Sequence, residues 1–214
     1  MCGRYTLHTK SQKLASSIAK LLPEQYEPSY NISPGTNILT QTKESLTCMQ
    51  WGLRTPQNFH INARLESADT TPRFRESWEA YRCLIPANGF YEWLSDGIRK
   101  QPYYIYPAHA ELVYFAGLWM PATKLEEVPQ CVILTTCAQE RIKRIHDRMP
   151  VLLPESAHQK WLDNYLTKSE ANAYSQKIEI TDHPVSNRVN STHNNDNKLI
   201  LPTTLLTDDQ LQLF

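Results

Sequence analysis

Apolar and polar positions along this 214-residue chain change period several times. Between Ser11 and Leu22, the residues Leu14, Ile18, Leu21 and Leu22 recur at helical spacing. This predicts an amphipathic helix opened by Thr9 or Ser11 and closed by Pro23. Tyr26–Pro34 reads as a loop bearing Pro28, Asn31 and Pro34. Asn37–Thr40 and Leu46–Trp51 read as two strands joined through the polar Gln41–Ser45. Arg54–His60 reads as a loop, and Ser67–Tyr81 as one or two short helices around Pro72. Strand signals dominate the middle of the chain: Arg82–Pro86, Phe90–Leu94, Tyr103–Tyr106, Leu112–Trp119 and Cys131–Thr136 are short, rich in β-branched or aromatic residues, and bounded by turn formers. Asp96-Gly97 is a tight-hairpin signal. Ala138–Ile145, Pro154–Asn164 and Ser169–Ser175 read as helices, Ile178–Ile180 as a strand and Asn187–Asn197 as loop. The order does not alternate strand and helix, so a doubly wound sheet is not expected. The expected fold is α+β: one domain over residues 1–214, with a barrel-like, mainly antiparallel β core and peripheral helices.

Charge and composition narrow the classes of function. Lys plus Arg number 22 and Asp plus Glu number 22, so any site for a polyanion must be a local basic patch. The amino-terminal stretch is polar and carries no signal-peptide core. No apolar run approaches the ~20 residues that span a bilayer. Five scattered cysteines without a C-x-x-C pair argue against a disulfide framework and a structural zinc site, and for a reducing compartment. No Walker or dinucleotide-binding glycine motif is present. The expectation is a cytoplasmic monomer with no metal, no cofactor and no membrane contact.

The first candidate for chemistry is Cys2, directly after Met1. So small a residue in second position permits removal of the initiator, which would leave an amine and a thiol on one residue. An α-amine titrates at roughly 7.7–8.0, so a useful fraction is neutral and nucleophilic near pH 7. Such a pair can trap an aldehyde, amine first as an imine, then sulfur closing a five-membered thiazolidine. The bland alternative is an inert thiol at a frayed end.

Other polar residues stand beside strongly apolar neighbours. Asn62 suits a substrate oxygen or an imine nitrogen, although by itself it equally suits a turn. Glu92, between Tyr91 and Trp93, is either an exposed strand carboxylate or a partly buried proton carrier. His146 is suited to acid–base work at neutral pH, although a lone histidine is more often structural. Arg4, Arg64, Arg141, Arg144 and Arg148 could form a basic patch. Trp51 and Trp93 are candidate stacking surfaces, against a default role in the core.

Taken together, ordered blocks run along nearly the whole chain. They include Met1-Cys2-Gly3-Arg4-Tyr5, Tyr30–Pro34, Trp51-Gly52-Leu53, Asn62–Ser67, Arg82–Trp93, Phe115–Trp119, Thr135-Thr136, His146–Val151 and Val185…Asn190. This set resembles the SOS-response-associated peptidase family, whose members shield abasic sites in single-stranded DNA. The resemblance implies covalent capture of the opened abasic sugar by Cys2 after loss of Met1, with cleavage limited to that residue. It implies that Asn62 holds the amine or the sugar, that Glu92 orients the sugar and moves protons, and that His146 assists imine chemistry and its reversal. It further implies that Arg4, Arg64 and Arg148 grip phosphates, that Pro34 and Trp93 act as wedge and stacking surface where single strand meets duplex, and that Thr135 lines the pocket. Two stretches depart from the family pattern, the short polar Arg54–His60 and Asn194-Asn195-Asp196-Asn197. One rival reading is an amino-terminal-nucleophile glutamine amidotransferase, which requires a four-layer αββα sandwich. The other is a non-covalent single-strand-binding module in which Cys2 is passive.

Overall fold

The computed structural model describes residues 2–10, 23–24, 26–55, 58–95, 97–123 and 127–204. The expected helix over residues 11–22, together with Met1 and Asp96, lies outside the described residues.

A closed ring of strands forms the centre. β3 (Asn37–Gln41) and β4 (Leu46–Trp51) make a hairpin, and β4 lies parallel to β12 (Gln130–Cys137). β12 pairs antiparallel with β11 (Val113–Met120). β11 pairs in turn with β8 (Arg82–Ala87) and with the two-residue β14 (Leu152–Leu153), and β8 returns to β3 through Gln41 and Leu84. The hairpin turn closes on Thr42, whose hydroxyl accepts from the amides of Glu44 and Ser45. A second sheet runs β15 (Ile180–Pro184), β10 (Lys100–Pro107), β9 (Gly89–Ser95), β1 (Tyr5–Leu7), β2 (Ser29–Ile32).

The chain passes from ring to sheet at one buried residue, Asn88. Its Oδ1 accepts from the amide of His8 at 2.6 Å, and its Nδ2 donates to Thr9 Oγ1 and Glu111 O, each at 2.8 Å. Because every polar atom of that amide is used, the turn between β8 and β9 also anchors the residues after β1. At Gly89, a side chain would collide with the carbonyl of Ile105 and the ring of Tyr104, so only glycine lets the two sheets part there.

The central strands are buried on both faces, which is why they read as near-continuous apolar runs. Cys83, Ile85, Phe115, Cys131 and Ile133 point inward with Trp51, while Leu84, Ala116, Leu118, Val132 and Leu134 point outward beneath the helices. Those helices are α1 (Pro72–Ala80), α2 (Glu155–Leu162) and α3 (Lys168–Lys177), the last opened by a reciprocal capping box between Thr167 and Glu170. Trp161 of α2 is fully buried and donates from Nε1 to Cys83 O at 2.8 Å. Beside it, Arg82 lies between the rings of Trp78 and Trp161, at 4.0 and 4.5 Å from their centroids, and donates to Leu166 O. Burial lowers its guanidinium to about 10.

Several local expectations are corrected. Ala138–Ile145 is not a helix but a single 3₁₀ turn, Glu140–Ile142, inside a loop closed by the Ala138 amide on Asp147 O. Ile142 and Ile145 are buried in this loop, which accounts for the helix-like spacing. Arg54–His60 is the end of a small hairpin, β5 (Leu53–Arg54) with β6 (Phe59–His60), and Arg54 lies over the Phe59 ring. The strand expected at Ile178–Ile180 starts at Ile180 and follows β10 to Pro184.

Replacing Trp161 by Ala would remove the largest side chain of the outer core and leave Cys83 O without its donor. The expected loss is about 3–5 kcal/mol, read as a lower urea midpoint with little change in slope.

Candidate active site at the buried amino terminus

β1 is an interior strand of the second sheet, paired on both sides, so the residues just before it are drawn into the protein rather than left at its surface. Tyr5 pairs with Ile32 on one side and Phe90 on the other, and its ring meets Trp51 and Phe115 edge-on. Tyr5, Thr6 and Leu7 are all buried, and Cys2 is fully buried.

Cys2 is held from a third strand. β7 (Asn62–Arg64) runs parallel to β12, with Asn62 beside Ile133 and Arg64 beside Thr135. From there Asn62 Nδ2 donates to Cys2 O at 2.8 Å, while Asn62 Oδ1 is buried with no hydrogen-bond partner among the described residues. The thiol lies 3.9 Å from Arg4 O. Burial pushes that thiol well above its ordinary value. Glu92 adds to the rise, and the positive amino-terminal charge opposes it.

Glu92, on the central strand β9, is 3% exposed. Burial raises its carboxyl to about 7 against the pull of the amino-terminal charge, with Asp147 adding to the rise. His146 stands at the end of the 138–147 loop. Its Nδ1 accepts from the Arg148 amide at 2.9 Å and lies 3.0 Å from Asp147 Oδ1. Burial, followed by the amino-terminal charge, lowers the imidazole. An Nδ1 that accepts a backbone N–H leaves the proton of the neutral ring on Nε2. Cys2, Asn62, Glu92 and His146 thus share one electrostatic environment with the amino terminus.

The remaining sequence-predicted residues lie on two flanks. Arg64 is exposed at the end of β7. Next to it, Arg148 on β13 (Arg148–Pro150) makes a two-pronged pair with Glu66, both contacts at 2.9 Å, and donates to Thr135 O at 2.6 Å and Thr135 Oγ1 at 3.2 Å. Burial pushes Glu66 up, but the hydrogen bonds and charge of Arg148, with Arg64 nearby, hold it below the usual carboxylate range. On the opposite flank, Arg4 donates to Asn31 Oδ1 at 2.6 Å and Val189 O at 2.7 Å. Trp93, its side chain on the other face of β9 from Glu92, packs against the cluster formed by Tyr91, Tyr104, Val185, Val189 and Leu199 and donates to Asn190 Oδ1 at 2.9 Å. Pro34 is half-buried in the turn that carries Gly35 at φ +89°. Arg141 and Arg144 lie elsewhere, paired with Asp182 of β15, and Trp51 is sealed in the ring.

Sequence reasoning missed Glu66 and Asn31 as partners of the two arginines. Both lie in the family blocks, but a pairing across 82 or 27 residues leaves no periodic trace. Among the described residues, no group of three or more His, Cys, Asp or Glu side chains could hold a metal ion. None of the described helices is long and apolar enough to cross a membrane.

Comparison with known proteins finds similar sequences and similar folds. The chain is 36% identical to the abasic site processing protein YoqW of Bacillus subtilis, over 94% of this chain and 99% of that one. It is 30% identical to abasic site processing protein YedK of Escherichia coli, over 94% and 100% of the two chains. Among solved structures, a phage-related protein from Bordetella bronchiseptica superimposes with a TM-score of 0.68 at 29% identity, covering 86% of this chain and 94% of that one. A Bacteroides thetaiotaomicron protein, at 23% identity, shares the fold with a TM-score of 0.76 over 95% and 100% of the chains. The profile of the SOS response associated peptidase (SRAP) family matches residues 1–192, and the chain belongs to that family.

Proposed function

We propose that this protein processes abasic sites, and that it does so by capturing the ring-opened sugar in single-stranded DNA as a thiazolidine on Cys2. The observation that carries the reading is the burial of Cys2 with its carbonyl held by Asn62, beside the buried Glu92 whose charge helps raise the thiol. Two relatives named for abasic-site processing match over nearly their full length, which supports the general activity. The closed β ring is not the four-layer sandwich that a glutamine amidotransferase needs.

In the proposed reaction Met1 is first removed. The free Cys2 amine then adds to the aldehyde carbon, and Glu92 protonates the carbinolamine oxygen, which leaves as water. Asn62 Oδ1 accepts from the amine or a sugar hydroxyl. The thiol then gives its proton to ionised Glu92, restoring the acid, as the sulfur adds to the iminium carbon and the nitrogen takes up the C=N electron pair. The balance is aldehyde plus aminothiol giving thiazolidine plus one water. A thiol held neutral by burial fits this order, because the amine attacks before sulfur is needed. His146, neutral with Nε2 protonated, assists proton transfer in imine formation and reversal. Arg64 contacts phosphate directly. Arg4 and Arg148 add positive potential on the two flanks, Thr135 lines the pocket, and Pro34 and Trp93 meet the bases where single strand adjoins duplex.

Intact mass after incubation with an abasic oligonucleotide tests capture directly. The expected mass is protein without Met1 plus oligonucleotide minus water, and Cys2→Ala should give no adduct stable to heat and detergent. Non-covalent binding that is equal for intact and abasic strands, with no adduct, would favour the passive module instead.

The capture rate should peak near neutral pH. On the acid side the amine is protonated, and on the alkaline side Glu92, which titrates at about 7, loses the proton it must donate. Glu92→Gln should slow capture at saturating DNA and remove the alkaline limb, while binding changes little.

The same carboxyl predicts a stability effect. Its folded value, about 7, lies above the ordinary 4.5, so between those values the native state holds a proton that the unfolded chain has lost. Stability therefore falls as pH rises through that window and levels off above it. Glu92→Gln should unfold later than the natural protein at pH 8, by on the order of 3 kcal/mol, and show little advantage at pH 4.

A further inference from the structure

The hairpin of β9 and β10 runs on past the site. Tyr5 pairs with Phe90 and the Tyr91 amide donates to Arg4 O at 2.9 Å, so the residues before Tyr5 run alongside Glu92 and Trp93. The ladder with β1 stops there, whereas β9 continues to Ser95, which pairs with Lys100 of β10. On the other side, β15 follows β10 only as far as Pro184 opposite Tyr103, and Val185 adds contacts with Pro102 O and Gln101 Nε2. Among the described residues, no other strand flanks the arm beyond these points. At about 3.3 Å per residue, Ser95 stands roughly 10 Å beyond Glu92 along the strand.

The end of this arm faces water. Ser95, Gly97, Ile98, Arg99 and Lys100 are exposed, Ile98 at 93%, so packing in the core does not account for the side chains at 98–100. Between Trp93 and Ala110 the cations Arg99 and Lys100 outnumber the single acid, Asp96. In a chain without net charge, two adjacent exposed cations just past the site form a local attraction for a polyanion. The stretch Ser95–Lys100 carries no aromatic residue on which an unpaired base could stack. Its chemistry suits a sugar–phosphate backbone, and a two-stranded β-ribbon has the width to enter the major groove of a duplex.

We propose that the β9–β10 arm holds the duplex that adjoins the single strand, with Arg99 and Lys100 on its phosphates and Ile98 against its sugars. The arm reaches about three base steps, at about 3.4 Å each, past the position of the captured sugar. It therefore grips DNA that the site itself does not touch, and it sets which side of the lesion carries paired strands. The proposal rests on the reading that the site takes DNA, and it gives a partner to a surface that this reading leaves unused.

Anisotropy titrations of the full-length protein test this with oligonucleotides carrying a tetrahydrofuran abasic analogue, which has no aldehyde and forms no adduct. One oligonucleotide is wholly single-stranded, and two have a duplex on the 5′ or the 3′ side of the lesion. Arg99→Ala with Lys100→Ala should weaken binding to one of the two junctions about fivefold or more and lower its salt slope by about 1–2. Binding to the single strand and the thermal midpoint should stay unchanged, and Arg99→Lys with Lys100→Arg should bind the junction as the natural protein does. Unchanged junction binding, an equal loss on all three oligonucleotides, or failure of the charge-keeping variant overturns the proposal. Adduct formation on a natural abasic site is read separately by mass. An adduct with unchanged junction binding sinks the arm alone, whereas arm-dependent junction binding without an adduct sinks the capture reading alone.

Discussion

The arrangement depends on packing an end of the chain that would ordinarily fray. Ordering a terminal residue costs conformational entropy and the hydration of its polar groups. Here the cost is offset by the ring of Tyr5 between Trp51 and Phe115, by ladder bonds to β2 and β9, and by the single side-chain bond from Asn62 to Cys2 O. The position of Cys2 is therefore set by the core itself. In the reaction proposed above, a residue presented this way would have little freedom left to lose when the substrate arrives.

Burial moves three titratable groups of this site toward their neutral forms. The thiol and the Glu92 carboxyl are raised, and the His146 imidazole is lowered. A water-exposed cleft with the same residues would hold a thiol, a carboxylate and a partly protonated imidazole. In the buried set it is Glu92, at about 7, that exchanges its proton near neutral pH. The two flanks behave differently. Arg148 and Arg4 already have internal partners, so the basic patch that the sequence suggests is partly spent on structure.

Legibility followed the range of the interaction. The strands β8 to β12 were readable because they are largely buried and framed by turn residues, and α2 because Pro154 marks its start; the cap of α3 at Thr167 went unread, and that helix was placed one residue late. β1, β2, β7 and β13, of three or four residues each, carry no measurable period and exist because longer neighbours pair with them. The loop over 138–147 was misread because Ile142 and Ile145 satisfy a helical spacing while the backbone closes on Asp147 O. Cys2, Asn62, Glu92 and His146 could each be singled out by residue chemistry, but their convergence could not, since it arises from β1 entering the sheet between β2 and β9. The partners of Arg4 and Arg148 were invisible for the same reason.

The depth of Cys2 also bears on survival in a damaged cell. Peroxide attacks thiolates that it can reach, and this sulfur is both fully enclosed and held in its protonated state. The fold keeps this sulfur inside the core, in its protonated form and shielded from small oxidants.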